Sequence, residues 1–256
     1  MHTPEKSKVI MVHSYKGGTG KSAVAINLAQ YLAIKLKKKI LIIEQDIGGS
    51  SFSSIFQIRP KKTWNDFYNT GELIKNLVYN WDYFDVICAR GEDIQIPHGQ
   101  EPRTFFARHL ERLNMQKKWL IANYDFIILD THPGFAIELI NSILIADIAI
   151  LLTRLDIDTV TNTIKMYDRV YSEFQNKKII LVQNQIPEPV NNISKSPLDL
   201  NIKQAMDKWN DFVKDKLLLT IPLKNEIAYT LSRNKIVPLD NIFMKYIQQI
   251  SELILK

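Results

Sequence analysis

The stretch Lys8–Leu32, KVIMVHSYKGGTGKSAVAINLAQYL, constrains this chain more than any other. Val9, Ile10, Met11 and Val12 form an apolar run of strand length, a glycine-rich turn follows, and a helix is expected to open at Lys21-Ser22. A buried strand that passes through glycines directly into a helix belongs in an α/β sheet whose parallel strands are covered by helices. The turn also has chemistry of its own. Backbone N–H groups of Gly17, Gly18, Thr19 and Gly20 are expected to converge as an anion nest, reinforced by the positive end of the helix dipole. Glycine takes positive φ without strain and lets the backbone approach a phosphate closely. In this arrangement Lys21 reaches the β- and γ-phosphates of a nucleotide and the Ser22 hydroxyl ligates Mg2+. Val24, Leu28, Leu32 and Leu36 then recur at helical spacing, which predicts one helix face packed on the sheet.

Three later strands add polar residues at their exits. Ile40–Ile43 reads as a buried strand with Glu44 and Asp46 at its carboxyl end, before Gly48-Gly49. Ligands of open α/β sheets lie outside the carboxyl ends of strands, so both carboxylates are expected to face the nucleotide. YDFIILDTHPGF, Tyr124 to Phe135, is an apolar strand ending in Asp130, suited to Mg2+ held through water. KIILVQNQ, Lys178 to Gln185, places Asn184 at a strand exit. Its side-chain carbonyl and amide suit an adenine edge, and a turn-forming asparagine is the alternative.

The glycine loop departs from GxxxxGK[ST] in one place: Tyr15 stands where the first glycine is expected, and Lys16 follows it. KGGTGKS is the deviant Walker A form, and the sequence resembles the ParA/MinD group of P-loop ATPases over nearly its whole length. The resemblance implies ATP and Mg2+ as ligands, with Lys16, Gly17, Gly18, Thr19, Gly20, Lys21, Ser22 and Ala23 around the nucleotide. It implies that Lys16 crosses a homodimer interface to the partner's nucleotide. Lys16, Lys21 and Asp46 become the catalytic set, Asp46 positioning the attacking water, and Ser22, Asp46 and Asp130 surround the metal. Gly134 falls where relatives carry a γ-phosphate switch and would offer its N–H. Asn184 and Pro222 fall beside the adenine. Lys224, Arg233 and Lys235 fall where relatives contact DNA non-specifically, a contact that needs only exposed cations. Glu44 departs from the family's usual aspartate, and the Pro-Gln that often follows the second acidic residue is absent. His132 reads as a solvent-accessible loop histidine.

With 256 residues, 46% hydrophobic and 23% charged, the chain suits one α/β domain over 1–256. The expected architecture is a mostly parallel, twisted sheet of about seven strands with helices on both faces. Helices are expected over Ser50–Ile58, Thr63–Tyr79, Glu101–Ala122, up to Phe174, from Ser196, over Glu226–Ser232 and over Asn241–Leu255. The last carries a broad apolar stripe that reads as core rather than as a membrane-binding tail. A single cysteine, Cys88, excludes a disulfide framework and cysteine-based zinc or iron–sulfur sites, and fits a reducing, cytoplasmic setting. The N-terminus lacks a signal-peptide pattern, and the most apolar stretch, Ile143–Leu152, is short and broken by Asp147. The net charge of +6 favours an acidic partner surface such as DNA, and with the last helix read as core a membrane partner is not expected. These readings converge on an ATP hydrolase of DNA partition, dimerising around ATP and discharged by a small ParB-like partner. A MinD-like positioning ATPase and a nucleotide-binding regulator with negligible hydrolysis are the alternatives.

Overall fold

The computed structural model describes residues 7–174, 176–186, 197–233 and 236–256, with backbone alone for 197–199. The expected first strand is β1 (Lys8–Ser14), which passes through the glycine turn into α1 (Lys21–Ile34) and on to β2 (Ile40–Glu44). Two short helices, α2 (Phe52–Ile55) and α3 (Trp64–Asn69), precede the strands β3 (Tyr79–Trp81) and β4 (Phe84–Ile87). There follow α4 (Pro102–Asn123), β5 (Phe126–Asp130), α5 (Ile137–Ile145), β6 (Ile148–Thr153) and α6 (Ile157–Arg169). The remainder comprises β7 (Lys178–Ile186), α7 (Pro197–Val213), β8 (Leu217–Pro222), α8 (Asn225–Arg233) and α9 (Phe243–Leu255).

The sheet runs β3-β4-β2-β5-β1-β6-β7-β8, and every neighbouring pair is parallel except β3 with β4. Each central strand is buried on both faces, which is why the apolar runs do not alternate with polar residues. Val9, Met11, Leu41 and Leu129 face a core shared with α3 to α7. Ile10, Val12, Ile42 and Ile128 face the other, shared with α1, α2, α8 and α9. Register sets Val12 level with Asp130 and Glu44 level with Asp130, so the ends of β1, β2 and β5 form one edge.

The sheet has eight strands rather than seven. The helix expected over Thr63–Tyr79 divides into α3, a 3-10 turn at Ile74–Asn76 and β3. Gly71, at φ +75°, follows α3, and Trp81 closes the β3–β4 hairpin by packing on Phe84 and Phe56, with ring centroids 4.9 and 5.0 Å away. α3 starts where Thr63 suggested: the Thr63 N–H donates to the Asp66 carboxylate at 2.7 Å. α2 is shorter than Ser50–Ile58, and α6 ends at Arg169 before a 3-10 turn, Tyr171–Glu173. Ser196, the expected cap of α7, lies outside the described residues.

α1 exceeds the single stripe read from its sequence. Val24, Ala25, Ile26, Leu28, Ala29 and Leu32 are all fully buried, because α9 lies across the side turned away from the sheet. α9 in turn buries Phe243, Met244, Ile247, Ile250 and Ile254, so its apolar stripe is core. Cys88 is buried, and burial pushes its thiol up to about 12, leaving it an inert packing residue. Among the described residues no helix is long and apolar enough to cross a membrane.

Candidate nucleotide site

The glycine loop forms as the sequence requires. Gly18 and Gly20 adopt φ of +73° and +92°, a left-handed conformation that other residues adopt only with strain. Gly20 is also the N-cap of α1, where no side chain caps the helix and no acidic residue stands in the first turn. The first-turn N–H groups are therefore left without a side-chain acceptor, the condition under which a helix start takes an anion.

Lys21, Ser22 and Asp130 meet beneath this loop. The Lys21 side chain is buried; burial lowers its pKa, and the charges of Asp130 and Asp46 act in the opposite sense. Asp130 is pushed up to about 7, chiefly by burial, against the pull of a hydrogen bond with Ser22 and of the Lys21 charge. Asp130 Oδ1 and Thr19 Oγ1 are buried without a hydrogen-bond partner. A dry carboxylate oxygen beside a serine hydroxyl is the donor set that suits a mostly hydrated Mg2+. No group of three His, Cys, Asp or Glu side chains among the described residues is placed to hold a metal ion. A cation here would rest on Ser22, Asp130, water and its own anionic ligand.

The two acidic residues after β2 have different fates. Asp46 stays at the site edge: its Oδ1 accepts the Gly49 N–H at 3.1 Å and lies 4.0 Å from His132 Nε2. His132 is 43% exposed, as expected of a loop histidine. Glu44 corrects the expectation that both carboxylates face the nucleotide. It is buried, its Oε1 accepting the N–H groups of Ser51 and Phe52 and its Oε2 that of Ala89 at 2.9 Å. Burial raises its pKa, against the pull of those three donors. Glu44 thus ties the start of α2 to the end of β4. Glu44→Ala leaves three buried donors unpaired and is expected to destabilise the fold by about 3–5 kcal/mol. Glu44→Gln places an amide NH2 against a donor and is expected to cost about 2 kcal/mol. Denaturant unfolding checks both; wild-type stability in Glu44→Gln contradicts the structural role.

Asn184 joins the site but is already engaged. Its Nδ2 donates to the Thr19 carbonyl at 2.8 Å, and its Oδ1 accepts the Gln185 N–H at 2.9 Å. It therefore braces the glycine loop, with Gln185, at φ +58°, beside it and its side chain 3.4 Å from the Gly18 carbonyl. Pro222 stands half-buried opposite Ile186, close to this brace. Ala23 is half-buried in the first turn of α1 and its carbonyl accepts the Asn27 amide. Gly17 and Lys16 are exposed, and the Lys16 ammonium has no hydrogen-bond or ion-pair partner among the described residues. Gly134 differs from expectation: its N–H donates to the Ser14 carbonyl at 2.9 Å instead of standing open. Lys224 is half-buried, and the exposed Arg233 lies over the Tyr229 ring at 4.8 Å. Lys235 lies outside the described residues. Sequence reasoning missed Gln185 and His13; the one signal for the latter is a histidine closing the apolar run VIMV.

A sequence model described as an AAA domain matches residues 7–182, more than half of the chain. The chromosome partitioning protein ParA of Myxococcus xanthus is 28% identical over 149 residues, 55% of this chain and 50% of that protein. The septum site-determining protein MinD of a Synechocystis species is 23% identical over 238 residues, 91% of this chain and 82% of that one. The chain belongs to the ParA/MinD family of P-loop ATPases. It spans about half the length of the ParA relative. Among solved structures, the ATP complex of an aspartate-to-alanine variant of Cyanothece McdA superposes with a TM-score of 0.78 at 17% identity. That likeness covers 98% of this chain and 97% of McdA. The ParA/MinD fold is thus shared over nearly the whole of this chain.

Proposed function

We propose that this ParA/MinD-family chain hydrolyses ATP as a homodimer and acts in DNA partition, binding DNA non-specifically in its ATP-bound form. One observation carries the reading. At a single sheet edge, an uncapped glycine-loop helix stands over buried Lys21 and Asp130 and half-buried Ser22, with Asp46 alongside. The loop amides and Lys21 hold the phosphates. Ser22 and Asp130 hold Mg2+, which when bound offsets phosphate charge. Asp46 orients the water, and the Thr19–Asn184 brace fixes the loop next to Gln185 and Pro222, where the base is received. The Lys16 ammonium, without a partner among the described residues, is free to reach a neighbouring subunit's nucleotide, in the manner of an arginine finger. Partition rather than membrane positioning is supported by the net charge of +6 and by an α9 whose apolar residues are occupied in the core. A small ParB-like protein would discharge the dimer, and the setting is cytoplasmic.

The test measures ATP turnover together with ATP-dependent sedimentation on duplex DNA and on anionic vesicles. ATP-requiring DNA binding whose log affinity falls linearly with log salt is the expected result. Binding to vesicles alone selects the MinD-like alternative, and absent turnover selects the nucleotide-binding regulator. Lys16→Ala is expected to lower turnover about 100-fold while the monomer still binds nucleotide; unchanged turnover refutes the trans role. Arg233→Ala is expected to weaken DNA binding and to reduce the salt slope by about one.

A further inference from the structure

α5 presents two apolar faces, and the core uses one of them. Leu139 and Ile143 are buried. Ile137, Ile140 and Leu144 recur at helical spacing on a second face, where Ile140 is 49% and Leu144 42% exposed. Phe135, in the turn that leads into α5, is 57% exposed. Single exposed apolar residues are ordinary on a protein surface, but a run of them along one helix face marks an interaction site.

This face borders a groove of about 470 Å3 between the start of α4 and the end of α6. Phe135, Ile140 and Ile143 line it together with Arg103, Arg169 and Glu173. Arg103 and Arg169 are exposed, and neither guanidinium makes a hydrogen bond or an ion pair among the described residues. Glu173, four residues after Arg169, is not paired with it, and is the one carboxylate among the described residues that line the groove. At the far end of α5, the Lys117 ammonium donates to the Ile145 carbonyl and Lys177 to the carbonyls of Leu144 and Ala146. Cations therefore stand in the groove and beyond the last turn of the exposed stripe.

The lining defines the occupant. No strand borders the groove, so an extended peptide would bury backbone groups with no edge to pair on. A helix arrives with its backbone hydrogen bonds already made. Two unpaired guanidiniums favour carboxylates on that helix. A second copy of this chain fits less well, because facing grooves would gather four guanidiniums around two Glu173 carboxylates. A bilayer offers no ridge of side chains to fill a concave site.

We propose that this face of α5 docks a partner protein through an amphipathic helix whose apolar stripe is flanked by Asp or Glu. The inference goes beyond the ATPase reading and needs no nucleotide. Apolar residues of the partner helix pack on Phe135 and Ile140, and its carboxylates reach Arg103 and Arg169.

The experiment selects from a displayed library of helix-forming peptides of about 18 residues, long enough to hold a helix, on the full, nucleotide-free chain. Selected sequences are expected to carry apolar residues three and four apart, flanked by Asp or Glu. Fluorescence anisotropy then compares the selected peptide with a counterpart in which every acid is Lys, expected to bind at least about tenfold more weakly. Ile140→Ser is expected to weaken the acidic peptide about tenfold. Arg103→Gln with Arg169→Gln is expected to weaken it about five- to tenfold and to flatten its salt dependence. All three side chains are exposed, so thermal unfolding of these variants should match the wild type. No enrichment, enrichment of neutral or basic helices, or binding indifferent to Ile140→Ser overturns the proposal. Sedimentation velocity and flotation with anionic vesicles complete the test. Self-association or vesicle binding that Ile140→Ser abolishes gives this face to a second copy or to lipid, and equally overturns it.

Discussion

Asp46→Ala is expected to lower ATP turnover by about 100-fold or more while leaving ATP affinity within a few-fold of wild type. The argument rests on where the carboxylate stands. Asp46 is placed at the edge of the site, within the electrostatic reach of Lys21, yet neither Ser22 nor the glycine-loop amides depend on it. Its one backbone bond, to the Gly49 N–H, is a loop cap. On the proposed mechanism, removing it takes away the group that orients water and spares those that bind phosphate, and an ATP-bound dimer should accumulate. Single-turnover kinetics and light scattering with ATP measure both. Asp46→Asn separates chemistry from capping, because the amide oxygen still accepts from Gly49 while the negative charge is gone. If Asp46→Asn turns over like wild type, the residue is a cap and another group positions the water.

Gly20→Ala is expected to abolish nucleotide binding and to destabilise the protein by about 2–4 kcal/mol, the sum of left-handed strain and a broken buried hydrogen bond. A Cβ at Gly20 would meet Asn184 Nδ2 at 2.5 Å, and φ there is +92°. The amide cannot simply swing aside, since it donates to the Thr19 carbonyl and braces the loop from β7. The partner variant makes the explanation testable. Asn184→Ala in the Gly20→Ala background removes the collision but not the φ strain, so it should restore part of the stability and little of the binding. Differential scanning calorimetry with and without nucleotide reads both quantities. Gly20→Ala binding nucleotide normally would show that the loop is not clamped as described.

The residue-level difference between Glu44 and Asp46 shows what each level of description reaches. Both are acids at the exit of a buried strand, two positions apart, and their spacing alone predicts that both face the site. In the fold, the side chain of Glu44 points into the interior, where three N–H groups from α2 and β4 need an acceptor. Those donors come from segments up to 45 residues away, so the demand they make is invisible to local spacing. Asn184 is a similar case. Its position at a strand exit is legible, but its partner is the Thr19 carbonyl, 165 residues earlier.

By itself the sequence determined the parallel α/β sheet, the glycine loop leading into α1, and the acids at the exits of β2 and β5. These are properties of local period, turn chemistry and strand burial, and each is carried by neighbouring residues. Only the tertiary structure decided which of those polar groups stay open. Pairing of β1 with β5 brings the Asp130 turn against His13 and Ser14, and the α6 end supplies Tyr171, so Gly134 is occupied rather than free. The physical reason is that nearly all buried donors and acceptors find a partner, and which partner lies within about 3 Å is set by sheet order.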